Sequence, residues 1–274
     1  MIKITTMVEN TAPRAKLRAE HGLSVLVDTG YDKILFDTGQ TDAIIHNAEV
    51  LNVDLSAIKN VVLSHGHYDH GGGLKYLLDI KTHLNVYAHP EIFRKRYSKA
   101  YGNSLRYIGI ESREFYEQKG ANFILDDKPI KIAENIYTTG FEPMVTDFES
   151  VDKNFVYETK DGYKKDDVPD DMSLVIETEK GVFVIFGCAH RGIINIIKHI
   201  ENVFDKKVFG FIGGTHLGPA SDFQREKTIL ELKKNKNLKI IGPSHCTGLL
   251  MGAKLYCEFD DKVIFNNVGT TIEI

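Results

Sequence analysis

An α/β sandwich of two packed β-sheets with helices on the outer faces is the fold class this sequence predicts, and three observations predict it. Short apolar runs of strand length recur along both halves of the chain. Helical patterns of period 3.6 lie between them. Several apolar runs end in small residues followed at once by histidine, as expected where neighbouring strand ends line one edge of a sheet.

In the first half, strands are expected at Leu23–Asp28, Lys33–Asp37, Asn60–Ser64, Leu84–Ala88 and Asn135–Thr139. In the second they fall at Ser173–Glu177, Val182–Phe186, Val208–Ile212, Leu238–Gly242, Val263–Asn266 and Thr270–Ile274. A helix is expected from Asp42 to Leu51, with Ile44, Ile45, Ala48 and Leu51 on one face. A second runs from Ile193 to Val203 on Ile193, Ile196, Ile197 and Ile200, and Thr228 to Lys234 reads as the end of a third. The stretch from about 90 to 171 breaks the rhythm with charge, tyrosine and polar clusters. It reads as an insertion or lid within one domain spanning 1–274. Its Arg94, Arg96, Arg106, Tyr97 and Tyr101 are candidates for holding an anionic ring compound, although scattered aromatic and basic residues also make ordinary surface.

The bulk numbers narrow the partners. The 274 residues are 42% hydrophobic and 26% charged, enough to bury a substantial core. A formal net charge of -4 without basic runs argues against nucleic acid. No apolar stretch approaches the roughly 18 residues of a membrane span, and the start MIKITTMVEN lacks a signal-peptide core, so a cytoplasmic protein is expected. Cys188, Cys246 and Cys257 are too few and scattered for a disulfide framework. The expected partner is a small, anionic substrate, and nothing in the sequence specifies an oligomer.

The strongest signal is His65-Gly66-His67-Tyr68-Asp69-His70, entered directly from the apolar run at Asn60–Ser64 and followed by three glycines. Imidazole and carboxylate are the usual donors for zinc, iron or manganese. Spacing divides the four into two pairs: His65 with His67 for one ion, Asp69 with His70 for a second, about 3.5 Å apart in such two-metal sites. Two divalent ions are therefore expected, zinc being favoured, with iron or manganese accepting the same ligands. Three further strands end in Gly187-Cys188-Ala189-His190, Gly213-Gly214-Thr215-His216 and Pro243-Ser244-His245-Cys246, which makes His190, His216 and His245 candidates for the same site. His46 and His199 lie in helix patterns, His21 and His83 lack supporting context, and His89 precedes a proline turn.

These residues resemble the metallo-β-lactamase superfamily, whose signature is His-x-His-x-Asp-His after a strand. The resemblance implies an αβ/βα sandwich, makes Asp37 of Phe36-Asp37-Thr38-Gly39 a support for the metal ligands, and makes His245 the late histidine ligand. Where the superfamily carries a bridging aspartate, often as Gly-Asp, this chain has Gly187-Cys188-Ala189-His190. Cys188 as a bridging thiolate, His190 as the missing imidazole, or Asp170 and Asp171 in the place of the earlier histidine are the alternatives, and Cys188 also fits as a small buried residue. The later motifs are similar to a dihydropteroate-synthase-like branch, one archaeal member of which condenses a hydroxymethyl-dihydropterin diphosphate with a ribosyl-aminobenzene phosphate.

The function expected is a metal-dependent hydrolase activating a bridging water against a phosphoester, lactone or thioester. Asp69 would orient the water or take its proton, and Tyr68 or His216 would donate to developing oxyanion charge. A diphosphate-displacing transferase of the dihydropterin-condensing type, or a non-catalytic or redox metal module, are the other classes the motif admits.

Overall fold

Short apolar strands, the central ones buried on both faces, produce two large sheets whose inner faces meet. The computed structural model describes residues 1–99 and 104–274. The first sheet has seven strands in the order Thr271–Glu273, Lys3–Val8, Ser24–Asp28, Lys33–Phe36, Asn60–Val62, Leu84–Ala88 and Ala121–Leu125. The second has six, in the order Ile240–Ser244, Val208–Gly214, Gly181–Phe186, Leu174–Thr178, Ile136–Thr138 and Lys131–Ala133. Between them lies a fully apolar layer in which Phe36, Val62 and Val25 pack with Phe183, Ile185 and Ile212. Each such side chain contributes about 1.5–3 kcal/mol on leaving water.

Helices cover the outer faces. Ala43–Leu51, Leu74–Ile80 and Arg113–Gln118 lie on the first sheet, closing a core around Ile44, Leu77 and Tyr116. Ile193–Phe204, Asp222–Lys234 and Leu249–Phe259 lie on the second, around Ile196, Ile229 and Leu255. Among the described residues no helix is long and apolar enough to cross a membrane.

Two of the sequence-based expectations are overturned by the structure. Val263–Asn266 forms no strand: a 3-10 turn at Asp260–Lys262 leads into a single bridge between Ile241 and Val263, and the chain then turns so that Asn266 Oδ1 accepts the Thr6 hydroxyl at 2.6 Å. The stretch 90–171 is not one irregular unit. Ala121–Leu125 joins the first sheet, and Lys131–Ala133 with Ile136–Thr138 joins the second. What stands apart is a four-stranded sheet of Gly162–Lys165, Phe155–Thr159, Arg96–Ser98 and Arg106–Tyr107.

That third sheet also changes the reading of its arginines. Arg96 is completely buried, with Nε donating to Asp166 at 2.7 Å and Nη2 donating to Asp170, so it has no surface to offer an anion. Arg94 pairs with Glu91 and stacks on Tyr157, while Tyr97 packs on Tyr107 and Tyr163 and donates to Glu158. Tyr101 lies outside the described residues.

Candidate metal centre

The strand Asn60–Val62 delivers the motif loop to the sheet edge, and three parallel strands of the second sheet deliver the remaining donors to the same place. Gly181–Phe186, Val208–Gly214 and Ile240–Ser244 run side by side, so the residues after each converge. Four non-glycine residues here hold left-handed backbone: Asp37 (φ 57), Ala189 (φ 54), His216 (φ 50) and His245 (φ 50). Such conformations cost about 1–3 kcal/mol each and persist where the surroundings over-determine them.

The donors form two triangles. His65 Nε2 lies 3.0 Å from His67 Nδ1 and 3.2 Å from His190 Nε2. His70 Nε2 lies 3.2 Å from His245 Nε2 and 3.9 Å from an Asp69 oxygen, which is itself 3.3 Å from His245 Nε2. Cys188 lies between them, its sulfur 3.2 Å from His70 Nε2 and grouped with His65 and His70. All seven residues are buried, none more than 7% exposed.

Proton wiring decides which nitrogens carry lone pairs. Asp37, fully buried, accepts the Ser64 N–H at 2.7 Å on Oδ1 and the Ser64 hydroxyl at 2.7 Å on Oδ2. Having donated to Asp37, the Ser64 oxygen accepts from His65 Nδ1–H at 2.8 Å, which leaves His65 Nε2 unprotonated. Asp37 Oδ2 also accepts His70 Nδ1–H at 2.6 Å, leaving His70 Nε2 free for a cation. Asn10 Oδ1, fixed by the Gly22 N–H, accepts from His245 Nδ1–H at 2.9 Å and presents its Nε2 in the same way. Carboxylate or carbonyl acceptors behind the ligating imidazole are how metal sites orient histidine.

The electrostatics agree. Burial, reinforced by neighbouring histidines, holds His65 and His190 well below the usual imidazole range; for His67 burial is joined by Arg96. These three are neutral donors. Burial opposes charge on Asp69, yet His70, His21 and His245 together hold its carboxyl well down. Burial likewise opposes a proton on His70, but Asp37 and Asp69 outweigh it and raise its pKa, so this position attracts positive charge. The Cys188 thiol is pushed up by burial and by Cys246, a preference that a dication in contact reverses.

The residues fit a divalent metal. Nitrogens 3.0–3.2 Å apart suit a shared cation, since a tetrahedron with metal–nitrogen distances of about 2.0–2.1 Å has edges of about 3.3 Å. Among the described residues, the outward His67 Nε2 and His190 Nδ1 are buried without a partner.

The remaining expectations sort differently. His216 sits beside His190, ring centroids 4.3 Å apart, with both ring nitrogens buried and unpartnered among the described residues. With His190 it lines a cavity of about 560 Å³ between residues 150–154 and the start of the helix Asp222–Lys234. Tyr68 lines another groove with Gln40, Tyr76 and Tyr107, and its hydroxyl accepts from Arg106 at 2.9 Å. Asp171 and Asp170 belong to none of the donor groups among the described residues: Asp171 accepts the Arg191 N–H at 3.0 Å, and Asp170 takes the Gly66 N–H at 2.8 Å and Arg96. His89 caps its own turn, accepting the Glu91 N–H. His46 and His199 bond to the carbonyls of Lys16 and Thr139.

Sequence reasoning missed His21, whose Nε2 lies 3.2 Å from Asp69, and Asn10 and Glu9, which orient the ring and backbone of His245. No motif marks them. It also passed over Ser64, although its place before His65 was a usable signal.

Comparison with known proteins bears on the whole chain. Residues 17–245 match the family model described as Metallo-beta-lactamase superfamily. An uncharacterized protein of Methanocaldococcus jannaschii is 35% identical over 277 residues, covering 100% of both chains. Another from that organism, named 7,8-dihydropterin-6-methyl-4-(beta-D-ribofuranosyl)-aminobenzene-5'-phosphate synthase, is 32% identical, covering 99% of this chain and 96% of its own. Among solved structures, Tm1679, described as a metal-dependent hydrolase of the beta-lactamase superfamily, matches with a TM-score of 0.86 and 30% identity over 100% of this chain and 99% of its own. Zn(2+)-bound PqqB from Methylobacterium extorquens, at 11% identity and a TM-score of 0.62 over 99% of this chain and 100% of its own, shares the fold.

Proposed function

Because the chain belongs to the metallo-beta-lactamase superfamily, we propose that it is a metal-dependent hydrolase with two divalent ions. His65, His67 and His190 hold the first, Asp69, His70 and His245 the second, and the Cys188 thiolate lies between them in place of a bridging carboxylate. The observation that carries this reading is the pair of donor triangles meeting at Cys188, with the lone pairs of His65, His70 and His245 fixed by Asp37, Ser64 and Asn10. Zinc suits this imidazole and sulfur set, and iron or manganese accept most of it.

Bound there, the ions supply Lewis acidity that lowers the pKa of water toward neutrality and polarises an electrophile's oxygen. The protein does the rest. Asp69 orients the attacking water, and His21, half exposed and 3.2 Å from that carboxylate, takes the proton on to solvent. His216 donates to the oxygen that gains charge, for which its unpartnered ring nitrogens are available. The cavity beside His190 and His216 admits a small anionic substrate, with Lys153 and the N-terminal end of the helix Asp222–Lys234 on its rim. The Tyr68 hydroxyl, engaged by Arg106, takes no part.

Stripping the protein, reloading it with zinc, iron or manganese and counting the ions tests the centre: two equivalents are expected, and one that persists in metal excess overturns it. His245→Ala should empty only the second position. Turnover of a phosphodiester, lactone and thioester panel then tests hydrolysis. One observation favours a second reading, diphosphate-displacing transfer: the full-length identity to a synthase. Condensation of a dihydropterin diphosphate with an aminobenzene acceptor, without hydrolysis of the panel, would establish it instead.

A further inference from the structure

Cys246 is unused by this scheme, yet its position is constrained. It follows His245 at the end of the strand Ile240–Ser244, as Cys188 follows the end of Gly181–Phe186, and the strand Val208–Gly214 runs between them. The two sulfurs come together across the end of that middle strand because Gly214 carries no side chain. A Cβ there would lie 2.6 Å from the Cys246 sulfur and 2.5 Å from the Gly187 carbonyl oxygen. The Cys188 sulfur, the Cys246 sulfur and a His245 ring nitrogen all lie within 4.8 Å of one another.

A second contact points the same way. The His216 N–H donates to the Cys246 sulfur at 3.2 Å, and it does so from a left-handed backbone (φ 50) that a residue with a side chain adopts only under constraint. N–H donors to sulfur stabilise a thiolate, as orienting hydrogen bonds do for other metal ligands. Cys257, by contrast, is exposed on the outer helix and far from any such arrangement.

We propose that Cys246 is a further metal ligand: with Cys188 and His245 it makes the second metal position a two-sulfur site that selects thiophilic ions such as zinc or cadmium over manganese or magnesium. Each thiol loses its proton to solvent as its sulfur bonds the ion, so no oxidant or reductant is involved. The inference rests on the two-metal reading above and adds to it the ion class and a ligand outside the histidine and aspartate set. Soft sulfur donors are the main lever by which a site of mixed ligands discriminates among divalent ions.

The test uses the full chain and reads the ion's ligands, not turnover. Zinc-edge absorption of the zinc-loaded protein should show sulfur at about 2.3 Å, and cobalt loading should give a sulfur-to-cobalt charge-transfer band in the near ultraviolet. Both signals should weaken in Cys246→Ser and in Cys188→Ser. In Cys246→Ser the preference for zinc over manganese should fall about tenfold or more, with the first ion retained. Cys257→Ser should change nothing. Two ions bound with sulfur signals identical in Cys246→Ser and the parent overturns the inference while leaving the two-metal reading intact; failure to bind two ions removes that reading itself. Should Cys246→Ser misfold, the sulfur count of the zinc-loaded parent decides: two sulfurs on one ion sustain the inference, and one or none, with two ions bound, overturns it.

Discussion

The two halves of the centre are built in opposite ways. The first sheet supplies four donors from six consecutive residues, and one buried carboxylate, Asp37, sets the tautomers of both His65 and His70 through Ser64 and directly. The second sheet supplies Cys188, His190, His216 and His245 from the ends of three parallel strands, and there the outward nitrogen of His190 and both nitrogens of His216 have no partner among the described residues, against His67 Nε2 alone among the four donors of the first half. The first half is a preorganised clamp. The second leaves donors unspent at the wall of the cavity lined by His190 and His216.

If that contrast is right, Asp37→Ala should have the widest effect, weakening both ions by about 10–100-fold, since it releases two imidazoles at once; competition titration with a chromophoric chelator measures it. Loss at only one position would show that the Ser64 and His70 branches act separately. His216→Ala touches the open half, and should lower kcat by about 100-fold while leaving both ions in place, which steady-state kinetics with parallel metal counting resolves. His190→Ala should weaken the first ion by about tenfold or more and spare the second. Normal affinity there, with severe loss in Cys188→Ser, would transfer the third ligand of that ion to the thiolate. Asn10→Ala should cost the second ion about tenfold, the low end for such a partner, because His245 keeps its Glu9 contact to the backbone. Smallest of all, Tyr68→Phe should leave kcat/KM within about twofold, its hydroxyl lying in another groove; a larger loss would reinstate it at the reacting centre.

The same contrast explains what could be read from the sequence. A motif compressed into His65 to His70 declares itself, and strand ends followed by histidine pointed to His190, His216 and His245 because parallel neighbours share an edge. Supports that act through the fold left no such trace. Asn10 and His21 reach the site only because the first strands pair antiparallel and return their loop to the edge, a register no local pattern encodes. Arg96 looked like a surface cation for the opposite reason: its two carboxylate partners stand 70 and 74 positions away and meet it only once the third sheet forms. Strands of two or three residues, such as Arg106–Tyr107 and Lys131–Ala133, are too short for periodicity to register. The strand Lys3–Val8 was missed because Lys3, Thr5 and Thr6 interrupt its apolar run, although five of its six residues are buried.

Gly66 ties the metal loop to the rest of the protein. Its N–H is held by Asp170, and a side chain there would overlap the Ile92 carbonyl, which also accepts from Arg96. The loop carrying His65 and His67 is thus bolted through its midpoint to a buried ion cluster that belongs to the small sheet. If an ion is held by His65 and His67, its release should require that bolt to loosen, so its exchange rate, and not only its affinity, should respond to residues that never touch it. On the two-metal reading, a protein of this build should trade the ion held by His65 and His67 slowly with the surrounding pool.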